Sequence, residues 1–224
     1  MAPLLLRAAL PRWTCEAWLG AVAAAGTVSR ALSSLPGLDT DAVLQTIADS
    51  ALRRPLEQAL GAAPWCNIDQ SWLRHGRPPH RWHQDGALGL DFAAHAGRPL
   101  PVDALLDLRV VWIALTPCGA FAPGIEWVDT PLEHLLQPAE LSDEAVTARF
   151  SAPALRRPVL HAGDALVFDG RLLHRTHLSA SMQLPRTSLE LRFCRAGHVP
   201  ARLGRDRWLA LPTAADPAAP GKPP

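Results

Sequence analysis

The stretch that decides the fold is Leu108–Leu115, which reads Leu-Arg-Val-Val-Trp-Ile-Ala-Leu. It is apolar nearly throughout and rich in β-branched residues, which is typical of a strand at the centre of a sheet. Thr187–Phe193 is a second strand of another kind, because apolar and polar residues alternate strictly along it. The alternation predicts an apolar face and a polar face, made of Leu189, Leu191 and Phe193 and of Ser188, Glu190 and Arg192.

Shorter strand candidates lie between these two stretches. Pro158–His161 is followed by a turn at Gly163-Asp164, a strand at Ala165–Phe168 and a second turn at Asp169-Gly170. Several short strands separated by turns favour a sandwich or jelly roll over a parallel α/β sheet. We therefore expect a mainly β protein with a double-stranded β-helix, or jelly-roll, core over residues 63–200.

The first 62 residues have a different composition, dominated by Ala and Leu, and we expect them to form a helical cover for the sheet. One helix is predicted near residues 14–33. A second is predicted from an N-cap at Thr40-Asp41 to Leu60, where Gly61 ends it, and Pro55 either kinks or divides this helix. Residues 1–211 thus form a single domain, and the Pro/Ala-rich residues 212–224 are predicted to be a disordered tail.

Bulk properties exclude several classes of function. The chain of 224 residues has 22 Lys and Arg against 21 Asp and Glu, so we expect no nucleic-acid partner. Its four cysteines are widely spaced, which disfavours structural zinc and predicts reduced thiols. The apolar residues 17–26 are too few to cross a membrane, so we expect no membrane partner and a cytoplasmic location.

The functional signal begins at Trp82-His83-Gln84-Asp85-Gly86 and ends about ninety residues later at Leu172-Leu173-His174. Two histidines and one carboxylate are the ligands of a facial triad, which binds Fe(II) on one side and leaves positions open for a co-substrate and dioxygen. On a strand, His83 and Asp85 would point to the same face, Trp82 would point to the opposite one, and Gly86 would let the backbone turn beside the metal. His177 is a rival to His174 for the third ligand position.

Arg186 and Ser188 share a face at the start of the alternating strand. A guanidinium can bind a carboxylate through two hydrogen bonds, and an arginine that points inward needs an anion. These residues therefore fit the far carboxylate of 2-oxoglutarate. Arg192 lies on the same face, where it either contacts an anionic substrate or pairs with Glu190, and we favour the pairing.

Taken together, Trp82–Asp85, Gly163–Phe168, Leu172–His174 and Arg186 resemble the phytanoyl-CoA dioxygenase family of Fe(II)/2-oxoglutarate oxygenases, over about residues 65–195. The resemblance implies a jelly-roll core, Fe(II) bound by His83, Asp85 and His174, and 2-oxoglutarate bound by Arg186. It also implies hydroxylation of a small-molecule substrate by dioxygen, with release of succinate and carbon dioxide. Gln84 lies where the family has a residue near the co-substrate.

The chain departs from the family pattern in two places. The segment Thr116–Trp127 replaces the family's usual Pro-Gly-Ser-His segment, and Arg175-Thr176 replaces the Gly-Ser that usually follows the distal histidine. These departures concern the substrate more than the metal. Asp85 is retained, whereas related halogenases have a small residue there, so halogenation is not expected.

Three other functions fit the same residues. The first is a cupin-like metalloenzyme that binds the metal but does not use 2-oxoglutarate. The second is a catalytically silent jelly-roll protein that binds a small ligand, and the third is a structural domain without a metal. We rank all three below the oxygenase.

Overall fold

The computed structural model describes residues 3–24, 29–101, 103 and 105–213. The tail predicted over residues 212–224 lies outside them from residue 214 onward. The helices of the described part are α1 (Arg12–Ala24), α2 (Thr40–Ala48), α3 (Arg53–Leu60) and α4 (Asp143–Arg149). Its strands are β1 (Leu4–Leu6), β2 (Arg30–Ala31), β3 (Trp65–Gly76), β4 (Arg109–Ala114), β5 (Gly124–Val128), β6 (Leu155–Arg156), β7 (Ala165–Asp169), β8 (His174–His177), β9 (Arg186–Cys194) and β10 (Trp208–Ala210).

Two antiparallel sheets organise these strands. In the described residues, the larger sheet has the order β1-β7-β4-β9-β3-β10, with β2 also paired to β3, and the smaller has the order β6-β5-β8. Strand β4 pairs with β7 on one side and with β9 on the other, which confirms the predicted central strand. The predicted jelly-roll fold class is likewise confirmed, because its short strands form antiparallel sheets rather than parallel ones.

The larger sheet is buried on both faces. Its outer face packs under α1, α2 and α3, where Leu189, Leu191 and Phe193 of β9 join the main apolar cluster. Its inner face packs on the smaller sheet through Trp112 and Phe168. A fully buried side chain of this size contributes about 1.5–3 kcal/mol, so these two layers supply much of the driving force for folding. They also hold β9 in place, with its polar residues directed toward the smaller sheet.

The helical cover differs from the prediction in its details. The segment predicted to run to Leu60 is divided into α2 and α3, which is one of the two outcomes expected for Pro55. The break precedes Pro55, which lies in the first turn of α3 where proline is tolerated. Asp39, rather than Thr40, is the N-cap of α2, because its carboxylate accepts a hydrogen bond from the Asp41 amide. The first 62 residues also contribute β1 and β2 to the larger sheet. Among the described helices, none is long and apolar enough to cross a membrane.

Strand β3 is a major element that the sequence pattern did not single out. It is 12 residues long and pairs with β9, but the register shifts between Asn67 and Trp72. The Asn67 side chain accepts hydrogen bonds from the amides of Asp69 and Gln70 within this bulge. The extra residues break the two-residue period that identifies a strand, and they present the Gln70 carbonyl to the side chain of Arg192.

Candidate metal centre

Two turns that touch each other bring the predicted ligands together. The amide of His83 donates to the carbonyl of His174 at 2.9 Å, and the amide of His174 donates back at 3.0 Å. Next to this bridge, the Gly86 amide donates to the Gly170 carbonyl at 2.8 Å. A Cβ atom on Gly170 would lie 2.9 Å from the Gly86 Cα, so both positions require glycine for close approach. This contact, rather than a backbone turn that only glycine adopts, explains Gly86.

His83, Asp85 and His174 form one compact group. Each residue offers a ligand atom, and these atoms all lie within 4.8 Å of one another. The imidazole centroids of His83 and His174 are 4.2 Å apart. Asp85 begins a short 3-10 helix, Asp85–Ala87, so the motif is extended only up to Gln84 instead of forming the strand that we expected.

Backbone carbonyls fix the orientation of both imidazoles. The Nδ1 atom of His83 lies 2.7 Å from the Arg81 carbonyl, and Nδ1 of His174 lies 3.0 Å from the Leu172 carbonyl. Because a carbonyl only accepts hydrogen bonds, Nδ1 must carry a proton in each ring, which leaves Nε2 as the nitrogen that can bind a metal. This is the arrangement that holds a histidine ready to bind a metal.

The atoms at the centre of the group repel one another unless a cation lies between them. Nε2 of His174 is 3.5 Å from Oδ2 of Asp85, and this buried oxygen accepts no hydrogen bond from the described residues. A lone pair of a neutral imidazole therefore faces a carboxylate oxygen. Two nitrogen donors and one carboxylate donor suit Fe(II), so the residues present fit the expected metal.

Titration favours the metal-binding forms of these side chains. Burial, with the nearby His83, lowers the pKa of His174 to about 4, although the charge of Asp85 opposes the shift. His174 is therefore neutral at pH 7. Burial acts to raise the pKa of Asp85, but the pKa is lowered on balance, and the positive charge of Arg192 is the largest of the opposing effects. Asp85 is therefore ionised.

Arg192 contacts the metal-ligand candidate Asp85 directly. Its Nη2 and Nε atoms donate to Oδ1 of Asp85 at 2.6 and 3.0 Å. The favoured pairing with Glu190 is also present, but it is longer, at 3.5 Å. Both Arg192 and Asp85 are almost fully buried, which explains why neither charge is left without its partner. The favoured sequence hypothesis for Arg192 was therefore incomplete, since it named Glu190 but not Asp85. Asp85 lies 107 residues away, so no local pattern connects it with Arg192.

The group opens into a narrow crevice at the protein surface. Besides His83 and His174, its walls are formed by His80, Trp112, Ile125, Arg175, Thr176, Arg186 and Glu190. The sequence analysis did not assign His80, Trp112, Ile125, Thr176 or Glu190 to the site. Glu190 alone carried a signal for this position, since it lies on the same face of β9 as Arg186.

Arg186 is a buried cation that lacks a carboxylate partner. Its side chain is 5% exposed, lies 5.5 Å over the ring of Trp112, and donates from Nη1 to the Gly124 carbonyl at 2.8 Å. No acidic side chain in the described part of the chain forms an ion pair with it. Because burying an unpaired charge is costly, the cavity has a strong preference for an anionic ligand at this end.

The remaining candidates fall into different places. Ser188 is fully buried and its hydroxyl has no hydrogen-bond partner in the described residues. Gln84 uses both ends of its amide in loop contacts, donating to the carbonyls of His134 and Arg171 and accepting from the Leu136 amide. It therefore anchors a loop, and the position near the co-substrate that the resemblance implies for it stays a prediction. The group of three ligands contains His174 and not its rival His177.

Comparison with known proteins identifies the fold but not a family. No family model matches the chain, and no curated protein is significantly similar to it.

Solved structures do match. The non-haem α-ketoglutarate-dependent epimerase SnoN from nogalamycin biosynthesis is 18% identical, with a TM-score of 0.59 over 96% of this chain and 82% of that one. EctD from S. alaskensis, with 2-oxoglutarate and 5-hydroxyectoine, is 13% identical, with a TM-score of 0.63 over 87% and 72%. HygX from Streptomyces hygroscopicus, with nickel, 2-oxoglutarate and hygromycin B, is 12% identical, with a TM-score of 0.60 over 88% and 84%. This chain shares with them the double-stranded β-helix fold.

Proposed function

We propose that the protein is a non-haem Fe(II)- and 2-oxoglutarate-dependent dioxygenase that hydroxylates a small-molecule substrate and releases succinate and carbon dioxide. One observation carries the proposal. His83 and His174 of the metal-ligand group line the same cavity as Arg186, a buried cation that has no acidic partner among the described residues. A metal site and an anion site in one small cavity fit a metal-chelating dicarboxylate.

Each side chain has a defined task in this proposal. Nε2 of His83, Nε2 of His174 and Oδ2 of Asp85 would hold Fe(II), and Asp85 would lower the net charge of the bound metal. The iron and 2-oxoglutarate would supply the oxidative chemistry, in which decarboxylation of the keto acid is coupled to insertion of oxygen into a C–H bond. The protein contributes geometry and charge.

Arg186 would bind the far carboxylate of 2-oxoglutarate, and the Ser188 hydroxyl would donate to the same group. Both side chains are held on β9, whose opposite face is buried under the helical cover, so little ordering is needed when the ligand binds. Trp112 and Ile125 line the cavity beside them and limit the access of water. The need of Arg186 for an anion is also what favours this function over a metalloenzyme that does not use the keto acid.

The resemblance to the phytanoyl-CoA dioxygenase family belongs to the proposal too. It is supported by the order and spacing of the motifs, now placed on a fold that includes 2-oxoglutarate-dependent enzymes. Structures with this fold contain 5-hydroxyectoine or hygromycin B, which supports a small molecule as the substrate here. The cytoplasmic location stays a prediction.

A calorimetric titration of 2-oxoglutarate into protein loaded with Mn(II) tests the anion site without turnover. We expect saturable binding, and we expect the variant Arg186→Gln to weaken it by at least about tenfold, because a charge-assisted contact contributes about 1.5–3 kcal/mol. The matched control is Arg109→Gln, which changes an arginine on the neighbouring strand β4 that pairs with Asp107 instead. Metal-loaded wild-type protein that ignores 2-oxoglutarate would contradict the proposed function.

A further inference from the structure

A row of largely buried charges of alternating sign runs from the metal centre across the larger sheet, and one of them, Glu190, lines the cavity. Asp85 pairs with Arg192 at 2.6 Å, Arg192 with Glu190 at 3.5 Å, and Glu190 with Arg74 at 2.9 Å. The side chains in this row are at most 13% exposed. Charges that are buried and paired in series hold one another in place. The row therefore ties the orientation of Asp85 to two strands of the larger sheet.

Within this row, Arg192 donates hydrogen bonds to only one of the two carboxylate oxygens of Asp85. Oδ1 accepts two hydrogen bonds from the guanidinium, one from Nε and one from Nη2. Oδ2 accepts none from the described residues and faces His174. Asp85 consequently presents one oxygen to the metal site and keeps the other engaged with the protein.

We propose that Arg192 is a positioning residue that restricts Asp85 to a single donor oxygen and so keeps a metal coordination position open for 2-oxoglutarate. This inference rests on the proposed function. A carboxylate that is free to use both oxygens would occupy one of the positions that the chelating keto acid needs. Arg192 thus acts through Asp85, without touching the substrate.

The hydrogen bonds of Arg192 separate this role from a role in substrate binding. Besides the two bonds to Asp85, its Nη1 donates to the Gln70 carbonyl in the β3 bulge. Its own backbone amide donates to the hydroxyl of Ser71, at 3.0 Å. All three side-chain nitrogens therefore donate to groups of the protein, and Arg192 is not among the residues that line the cavity.

The test is an anaerobic titration of 2-oxoglutarate into Fe(II)-loaded protein, followed by the visible charge-transfer absorption of the chelate. Equilibrium dialysis measures Fe(II) affinity separately, and circular dichroism reports folding. The variants are Arg192→Met, which removes both hydrogen-bond donors to Asp85, and Arg192→Lys, which keeps the positive charge but not the two donors to Asp85. The matched control is Arg157→Gln, which breaks a different ion pair to a fully buried carboxylate, that of Glu126.

We expect Arg192→Met to retain Fe(II) while its affinity for 2-oxoglutarate falls by about 10- to 100-fold, which is the range in which loss of an outer-shell partner usually changes metal affinity or activity. Arg192→Lys should lie between it and wild type, which also covers the case in which Arg192→Met does not fold. Arg157→Gln should keep the wild-type titration. Wild-type affinity for 2-oxoglutarate in folded Arg192→Met or Arg192→Lys would overturn the inference alone. Iron-loaded wild-type protein with no chelate band would instead overturn the proposed function and this inference with it.

Discussion

Individual histidines make the stability of the metal-free protein depend on pH. The pKa of His174 is about 4 in the folded protein, below the ordinary value of 6.5, mainly because the ring is buried. Burial, together with the charge of Arg74, lowers the pKa of His80 to about 4 as well. The unfolded chain therefore binds more protons than the folded one between pH 4 and 6.5, and stability must fall as the pH falls through this window.

For His174 alone, the free energy of unfolding should decrease by about 2 kcal/mol between pH 7 and pH 5, since one pKa unit corresponds to about 1.4 kcal/mol. Denaturant unfolding of the metal-free protein at both values measures the change. His174→Gln should reduce the pH dependence. A free energy of unfolding that stays constant from pH 7 to pH 5 would contradict this account of the buried imidazoles.

At the scale of single residues, the sequence identified which residues belong to the site but not which residues they contact. His83, Asp85, His174 and Arg186 were chosen from their chemistry and spacing. The structure brings the first three into one group, and His83, His174 and Arg186 line one cavity. Gln84 was assigned from its position in the motif, but its amide bonds to loops about fifty and ninety residues away. Hydrogen bonds between residues so distant in sequence depend on the packing of the loops, which has no local sequence pattern.

At the scale of elements, the metal centre depends on the contact between two turns. The Asp85-Gly86 turn lies on the Asp169-Gly170 turn, and this contact aligns the two histidines across their backbone bridge. The atoms in contact are backbone atoms, which cannot move aside as a flexible side chain can. A new methyl group at this contact would therefore have no room.

Gly170→Ala should therefore destabilise the fold by about 1–3 kcal/mol and weaken Fe(II) binding, because a Cβ would lie 2.7 Å from the Leu106 carbonyl. The control is Gly20→Ala in α1, where a Cβ meets nothing within 4 Å. That change should be neutral, or stabilising by up to about 1 kcal/mol. Thermal unfolding and metal dialysis on both variants check the two expectations. Gly170→Ala with wild-type iron affinity would show that the turns do not need this close contact.

Strong periodic patterns identified elements well, whereas interrupted ones did not. β4 and β9 lie almost where the apolar run and the strict alternation placed them, within one or two residues at each end. β3 was missed because its bulge breaks the alternation. β1 and β2 were missed because a segment of two or three residues is too short to show the two-residue period of a strand. These segments are strands only because they pair with the larger sheet.

At the scale of the whole molecule, the fold keeps the polar face of β9 dry and fixed. The helices bury one side of the larger sheet, and the smaller sheet covers the other. Arg186 and Arg192 are buried there and Glu190 is largely buried, so each of these charges needs a polar partner. Two of these charges are paired within the protein. The third, Arg186, is the one for which the proposed co-substrate supplies the anion.

The most direct test of this account is an anaerobic Fe(II) titration with and without 2-oxoglutarate, monitored by visible absorption, on wild-type protein and on His174→Ala. We predict a weak charge-transfer band that requires both components and is absent from His174→Ala, because that variant lacks one of the three ligands. Wild-type protein that binds iron but gives no band with 2-oxoglutarate would contradict the account.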